Sequence, residues 1–236
     1  MHGQKIATAS AAVQDFLSKL DVDAIGVASL YELKGSKLEE TALRLLPETH
    51  SIVVFAMEVY TEILHHSRPE RAMGQASLND LLDRNADFLN SRLTKTAYDV
   101  ARVSRRNSLK ALPLTAAGCP LDTRFLEAVF SYKHAGQAAG LGCIGRSSLL
   151  ITPVFGPRVR LSCCLTEAQL KPGKLATPNV CEDCDICIRN CPAGALNRPQ
   201  AEEPYVINKF ACASFRNASG GCSKHTVAAV HVNALA

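Results

Sequence analysis

The segment CEDCDICIRNCPAGAL places Cys181, Cys184, Cys187 and Cys191 in the spacing C-x2-C-x2-C-x3-C-P. Two-residue gaps let a tight loop wrap three thiolates around one corner of a cubane cluster, whose irons each take one sulfur ligand. The spacing therefore predicts a 4Fe-4S cluster on Cys181, Cys184 and Cys187. Structural zinc sites prefer two cysteine pairs a dozen or more residues apart, which this run fits poorly. In proteins with two clusters the fourth cysteine of such a run serves the other one. The tail supplies only Cys212 and Cys222 for it, and His225 lies three residues after Cys222, where a cysteine would complete a C-x2-C pair. Histidine replaces cysteine on iron in Rieske centres. Two arrangements stay open: one cluster closed by a remote cysteine, or a second cluster on Cys191, Cys212, Cys222 and His225. His225 and His231 also read as solvated surface histidines.

The remaining cysteines carry weaker signals. Cys163 and Cys164 lie in an apolar strand pattern and read as buried thiols. Cys119 and Cys143 read as structural, with approach to a cofactor as the sharper alternative. Ten cysteines in all favour thiols and metal ligands over disulfides if the chain stays in the cytosol, where thiols are kept reduced. That cytoplasmic expectation comes from the first residues, where Gln14, Asp15, Ser18 and Lys19 interrupt any signal-peptide-like apolar run. No stretch approaches the roughly eighteen apolar residues of a membrane helix. A net charge of +4 is too small to imply nucleic acid without a clustered basic face.

The elements that must position these residues alternate helix-like and strand-like patterns, which predicts an α/β or α+β layer fold. Ser10–Leu20 reads as an amphipathic helix with Ala11, Val13, Phe16, Leu17 and Leu20 inward. AIGVAS (24–29) and SIVVFAM (51–57) read as strands. Ser36 and Glu39 have the capping-box form for a helix that runs to Leu46 before Pro47. A long helix is expected over 76–103, with Leu78, Leu81, Leu82, Phe88, Leu89, Leu93, Ala97 and Val100 as its apolar positions. An extended LPLTA (112–116) follows, then a helix over 123–138, the strand SSLLIT, the turn PVFGP and the strand RVRLSCCLT. Arg158 and Arg160 alternate on that last strand and either face solvent or meet an anionic cofactor group. EAQLKPGKLATPN (167–179) reads as a connector, which divides the chain into residues 1–166 and 167–236.

Gly140, Gly142 and Gly145 match G-x-G-x-x-G. The dinucleotide-binding version follows a strand and opens a helix. Here a helix precedes the glycines and a strand follows, so a nucleotide site is rejected. The glycines instead let backbone approach a flat ligand or a neighbouring element.

The stretch KHAGQAAGLGCIGRSSLLITPVFGPRVRLSCCLTEAQLKP, followed by the cysteine run, resembles the epoxyqueuosine reductase family and its relatives the reductive dehalogenases. LDVDAIGVASL and LLPETHSIVVFAMEVY extend the likeness in the same order. The resemblance implies a nitroreductase-like mixed-sheet domain over 1–166 that holds a cobalamin, and a small ferredoxin-like domain over 167–236 that feeds it electrons. It places Gly140, Gly142, Cys143, Ile144, Gly145, Arg146, Ser147 and Ser148 near the cofactor or the cluster. Lys133 and His134 are candidates for cofactor binding or proton transfer, against a plain reading as the positive end of a helix. Asp122 is the candidate proton donor, against a plain reading as the N-cap of a helix from Thr123.

Epoxyqueuosine reductases continue beyond their clusters into a region that helps to hold tRNA, whereas this sequence stops at Ala236, so tRNA is not an expected partner. The expected partners are an electron donor such as a ferredoxin or flavodoxin and a small-molecule substrate. The function expected is an iron-sulfur oxidoreductase. The alternative is an electron-transfer or interaction protein with a cluster and no catalytic site of its own.

Overall fold

The computed structural model of the chain describes residues 2–66, 75–116, 121, 122, 124–174, 181, 183–198 and 205–218. Cys119, Cys222, His225 and His231 lie outside the described residues. The elements run α1 (His2–Leu17), β1 (Ala24–Ser29), α2 (Lys37–Leu45), β2 (Ser51–Glu58), α3 (Thr61–His66), α4 (Gln75–Arg106) and β3 (Ala111–Leu114). They continue with β4 (Leu121–Asp122), β5 (Glu127–Ala128), α5 (Tyr132–Ala138), β6 (Cys143–Ile144), β7 (Leu150–Ile151) and β8 (Val159–Thr166). The last are α6 (Ile186–Arg189), β9 (Leu196–Asn197), β10 (Val206–Ile207) and α7 (Lys209–Ala218). Helices and sheet are combined as the α/β expectation requires.

The chain folds as two compact units whose segments alternate along the sequence. One comprises Met1–Met57, Leu89–Gly142 and Arg160–Ala176, the other Glu58–Phe88, Cys143–Val159 and Thr177–Ala236. A single boundary after residue 166 is not where the units part. The segment 143–159 goes with the cysteine-rich unit and 160–176 with the larger one.

The larger unit is organised by a sheet of order β1-β2-β8-β3. Ile52 to Ala56 of β2 are wholly buried, so this strand is covered on both faces and reads as an unbroken apolar run. Each such Val, Ile or Phe side chain contributes about 1.5–3 kcal/mol on leaving water. β1 pairs antiparallel with β2, Val27 opposite Val53, and β3 pairs antiparallel with β8, Leu112 opposite Leu165. His50 N donates to Thr166 O at 2.9 Å and Val59 N donates to Arg158 O at 2.8 Å, which makes β2 and β8 antiparallel as well. The sheet expected to be mixed is thus antiparallel among its described pairs. Pro113 sits in β3, an edge strand, where its missing N–H costs no ladder bond.

α4 presents Leu93, Ala97, Val100 and Ala101 as a buried stripe at helical spacing, while Leu81 and Phe88, expected inward, are exposed. α1 buries Val13 and Leu17, but it begins near the N-terminus and ends before Leu20, and Ala11 faces outward. Buried Ser10 Oγ accepts a bond from Gln169 N at 2.9 Å and fixes the segment after β8. At α2, Ser36 Oγ accepts from Glu39 N at 3.1 Å, while the Glu39 carboxylate accepts from Gly35 N at 2.6 Å. The capping box is therefore displaced by one residue from its usual form.

The helix expected over 123–138 is confined to α5. Before it, β4 and β5 form a hairpin with Leu121 opposite Ala128. Asp122 Oδ1 accepts from Arg124 N at 3.0 Å, an Asx turn that competes with helix formation, and Leu126 has φ +48°. Phe125 and Val129 are exposed.

α5 ends in a Schellman motif, with Gly140 N donating to Gln137 O at 3.0 Å and Leu141 N to Gly136 O at 2.9 Å. Gly140 has φ +79°, and a Cβ there would lie 2.0 Å from Lys174 O. The first glycine of the G-x-G-x-x-G pattern thus ends a helix instead of opening one. A Cβ on Gly26 of β1 would lie 2.5 Å from Ala139 O and 2.8 Å from Ala139 Cβ. Gly26→Ala is expected to cost about 1–3 kcal/mol by overpacking this contact. Urea unfolding checks it as a lower midpoint at unchanged slope.

Candidate metal centre

In the second unit β6 and β7 form a short hairpin, with Ile144 opposite Leu150. Its turn is closed by Ser148 N donating to Gly145 O at 2.8 Å and Gly145 N to Leu149 O at 3.0 Å. Ser148 occupies the left-handed region at φ +64°. Gly145 faces a cysteine: a Cβ built on it would stand 3.1 Å from Cys181 Sγ and 2.3 Å from Ile151 Cδ1. The absent side chain is what lets backbone come up against that sulfur.

The cysteine loop is held by its own backbone and by ion pairs. Cys184 N donates to Cys181 O at 3.3 Å, and Asp185 is the N-cap residue of α6, the short turn that carries Cys187. Arg146, next to Gly145, donates from Nη1 to Asp185 Oδ1 at 2.6 Å and to Cys184 O at 3.3 Å. Arg198, just after β9, pairs with Asp185 Oδ2. Burial alone would push the Asp185 carboxyl up, but Arg146 and Arg198 outweigh it and hold the group below its ordinary range. The sequence reading missed Asp185 and Arg198 and treated Arg146 as a cofactor contact. The available signal was a carboxylate between two cysteines of the run, with an arginine beside the glycine turn.

Cys181, Cys184, Cys187, Cys191 and Cys212 are all half-buried and form no disulfide among the described residues. Burial raises the Cys187 thiol, and Cys181 and Cys184 raise it further, as expected of sulfurs held near one another. Cys191 Sγ accepts from Ala195 N at 3.3 Å, the kind of bond that tunes cluster sulfurs. Cys212 lies in the first turn of α7, where Asn208 caps the helix and Cys212 N donates to Asn208 O at 3.1 Å. Among the described residues no three His, Cys, Asp or Glu side chains are gathered closely enough to hold one metal ion. A cubane asks for a wider spread, since each thiolate binds a different iron. The thiol donors, with the Gly145 backbone brought up against Cys181 Sγ, are of the chemistry that such a cluster takes.

Ser147, in the same turn, is buried, and its Oγ has no hydrogen-bond partner among the described residues. A buried hydroxyl left in that condition costs about 1–3 kcal/mol, which a bound group would relieve. Cys143 and Ile144 are ladder residues of β6. Of the other sequence candidates, Asp122, Lys133, His134 and Arg160 belong to the larger unit and Arg158 to the second. His134 Nδ1 lies 2.6 Å from Ser131 Oγ, and burial, then Lys133 and Lys37, hold the imidazole below its ordinary pKa. Asp122 pairs with Arg124 at 2.8 Å, which keeps its carboxyl below the usual range. Arg158 pairs with Glu58, and Arg160 donates to Asn90 Oδ1 at 3.0 Å, so both arginines have protein partners. Among the described residues no helix is long and apolar enough to cross a membrane.

No family model matches the chain. A tetrachloroethene reductive dehalogenase of Desulfitobacterium hafniense is 35% identical over 130 residues, covering 54% of this chain and 21% of the relative. An epoxyqueuosine reductase of Prochlorococcus marinus is 31% identical over 86 residues, 36% of this chain and 26% of the relative. The chain thus spans between a fifth and about a quarter of these curated relatives. A solved catabolic reductive dehalogenase matches its fold with a TM-score of 0.60 at 19% identity, over 88% of this chain and 28% of that one. A second solved reductive dehalogenase, described in terms of B12-dependent dehalogenation, matches with the same TM-score of 0.60. The chain is epoxyqueuosine reductase/reductive dehalogenase-like in sequence, and its fold is that of part of a reductive dehalogenase.

Burial separates the thiols in a way that labelling can check. Cys163 and Cys164 are fully buried, and burial pushes the Cys164 thiol up to about 12. In metal-free native protein at pH 8, iodoacetamide should modify Cys181, Cys184, Cys187, Cys191 and Cys212 and spare Cys163 and Cys164. Peptide mass spectrometry reads the pattern, and guanidinium should abolish the difference.

Proposed function

We propose that this epoxyqueuosine reductase/reductive dehalogenase-like chain is an iron-sulfur oxidoreductase, in which a 4Fe-4S cluster on Cys181, Cys184 and Cys187 delivers electrons to a cobalamin-type cofactor for reduction of an organic substrate. The observation that carries the reading is the approach of the Gly145 backbone to Cys181 Sγ in a turn whose buried Ser147 hydroxyl has no partner among the described residues. One short hairpin thus offers a surface to a cluster ligand and an unsatisfied polar group to a second guest.

Cobalamin, when bound, supplies reductive chemistry at its metal, and the protein supplies orientation, electron entry and exclusion of water. Cys191 and Cys212, with Cys222 and His225, are the candidates to complete one cluster or build a second. Ser147 would hydrogen-bond the cofactor, and Gly145 keeps the space between it and Cys181 free of side chain. His134, whose pKa is lowered by burial and then by Lys133 and Lys37, is tilted toward the neutral imidazole and is the candidate for proton transfer. The larger unit is taken as nitroreductase-like and the cysteine-rich one as ferredoxin-like, with a ferredoxin or flavodoxin as donor in the cytoplasm. The dehalogenase relatives are named for tetrachloroethene, so a halogenated small organic molecule is the substrate class to test first.

A second reading, an electron-transfer protein without its own catalytic site, is favoured by Asp122. Its carboxylate is engaged by Arg124 and held ionised, which does not suit a proton donor.

Anaerobically reconstituted full-length protein should hold about four irons per cluster and no zinc. Added cobalamin should then bind at micromolar concentration and shift in its visible spectrum. Zinc in place of iron would sink both readings, and a loaded cluster that ignores cobalamin would leave only the second.

A further inference from the structure

We infer that Asp185 is a positioning residue for the cluster: through Arg146 and Arg198 it fixes the cysteine loop in its ligating shape before metal arrives. The inference rests on the cluster reading above. Asp185 lies between Cys184 and Cys187, and its carboxylate accepts one arginine on each oxygen. One arginine comes from the turn that carries Gly145, the other from the end of β9. The Asp185 side chain is 12% exposed and that of Arg146 is 22% exposed, so this pair is screened far less than a surface bridge. Arg146 also donates to the carbonyl of Cys184 at 3.3 Å and so restrains the backbone that directs that thiol. The same residue stands between Gly145, which faces Cys181, and Ser147. Two ligand positions and the glycine turn are therefore linked through one guanidinium.

Charge and position make opposite predictions for the removal of Asp185. A cluster on thiolates is net negative, and the two arginines would face it unopposed in Asp185→Asn. If Asp185 acted through its charge, the variant would hold its cluster more tightly, since a repelling carboxylate is gone. If it acts by positioning, the loop loses its two anchors and the cluster is held less well. Changes to groups that orient metal ligands cost about 10–100-fold in metal affinity.

The test uses full-length protein reconstituted anaerobically, with wild type, Asp185→Asn and Arg198→Gln. Iron release to an excess of an iron(II) chelator is followed in the visible, beside the electron paramagnetic resonance spectrum of the reduced cluster and the melting of the metal-free protein. Asp185→Asn should lose iron about tenfold faster and broaden the reduced-cluster spectrum. Arg198→Gln, at a residue whose side chain is 79% exposed, should speed release by a smaller factor. If Asp185→Asn does not fold, Arg198→Gln carries the test alone. Release at the wild-type rate or slower, or an unchanged spectrum, overturns the inference. A wild type that takes up no iron overturns the cluster reading instead.

Discussion

A thiolate on a short loop ligates well only if something besides the metal holds the loop. The second unit shows why this constraint governs the rest. Its buried apolar residues among those described are few, with Val59, Leu64, Leu82, Ala86, Ile144, Leu150, Ala195 and Leu196 as the main ones. A core of that size cannot order a run of polar residues by hydrophobic burial alone, as is usual for small units. Order comes instead from directed contacts: Asp185 between two arginines, the Arg146 bond to Cys184, and the Gly145 backbone against Cys181. Metal binding would add to these, since the free energy of ligation is also free energy of folding. The larger unit has the opposite economy, with β2 covered on both faces and α4 laid along the core.

What the sequence made legible follows this division. β1, β2, α2 and α4 are visible in periodicity and capping because burial and backbone bonds dictate them locally. The helix expected over 123–138 failed because Phe125 and Val129 mimic a stripe at i and i+4, while the decisive signal is the short side chain of Asp122 bonding its own turn. The cysteine run stands out in the sequence because a cubane cluster, which Cys181, Cys184 and Cys187 are proposed to hold, imposes a spacing on its ligands. Asp185 and Arg198 were not, because an ion pair closed between residues far apart in the chain leaves no period to read.

The glycine pattern shows how one motif can divide into separate jobs. Gly140 is a helix terminator in left-handed conformation, set by the Schellman bonds of α5 and the closeness of Lys174. Gly145 has no positive φ, and its freedom lies in the missing Cβ that would otherwise press on Ile151 and Cys181. A pattern match records only that both are glycine. The surrounding element order, helix first and strand after, is what separates them from a phosphate-binding turn.

The alternation of the two units along the chain bears on how such a protein can be cut or transplanted. The chain passes between units after residues 57, 88, 142, 159 and 176, so no single cut divides them. A module excised from residue 167 onward would carry every cysteine of the loop but leave behind Gly145 and Arg146. A transplanted loop would carry its cysteines without the hairpin residues that touch it, Gly145 against Cys181 Sγ and Arg146 against Asp185.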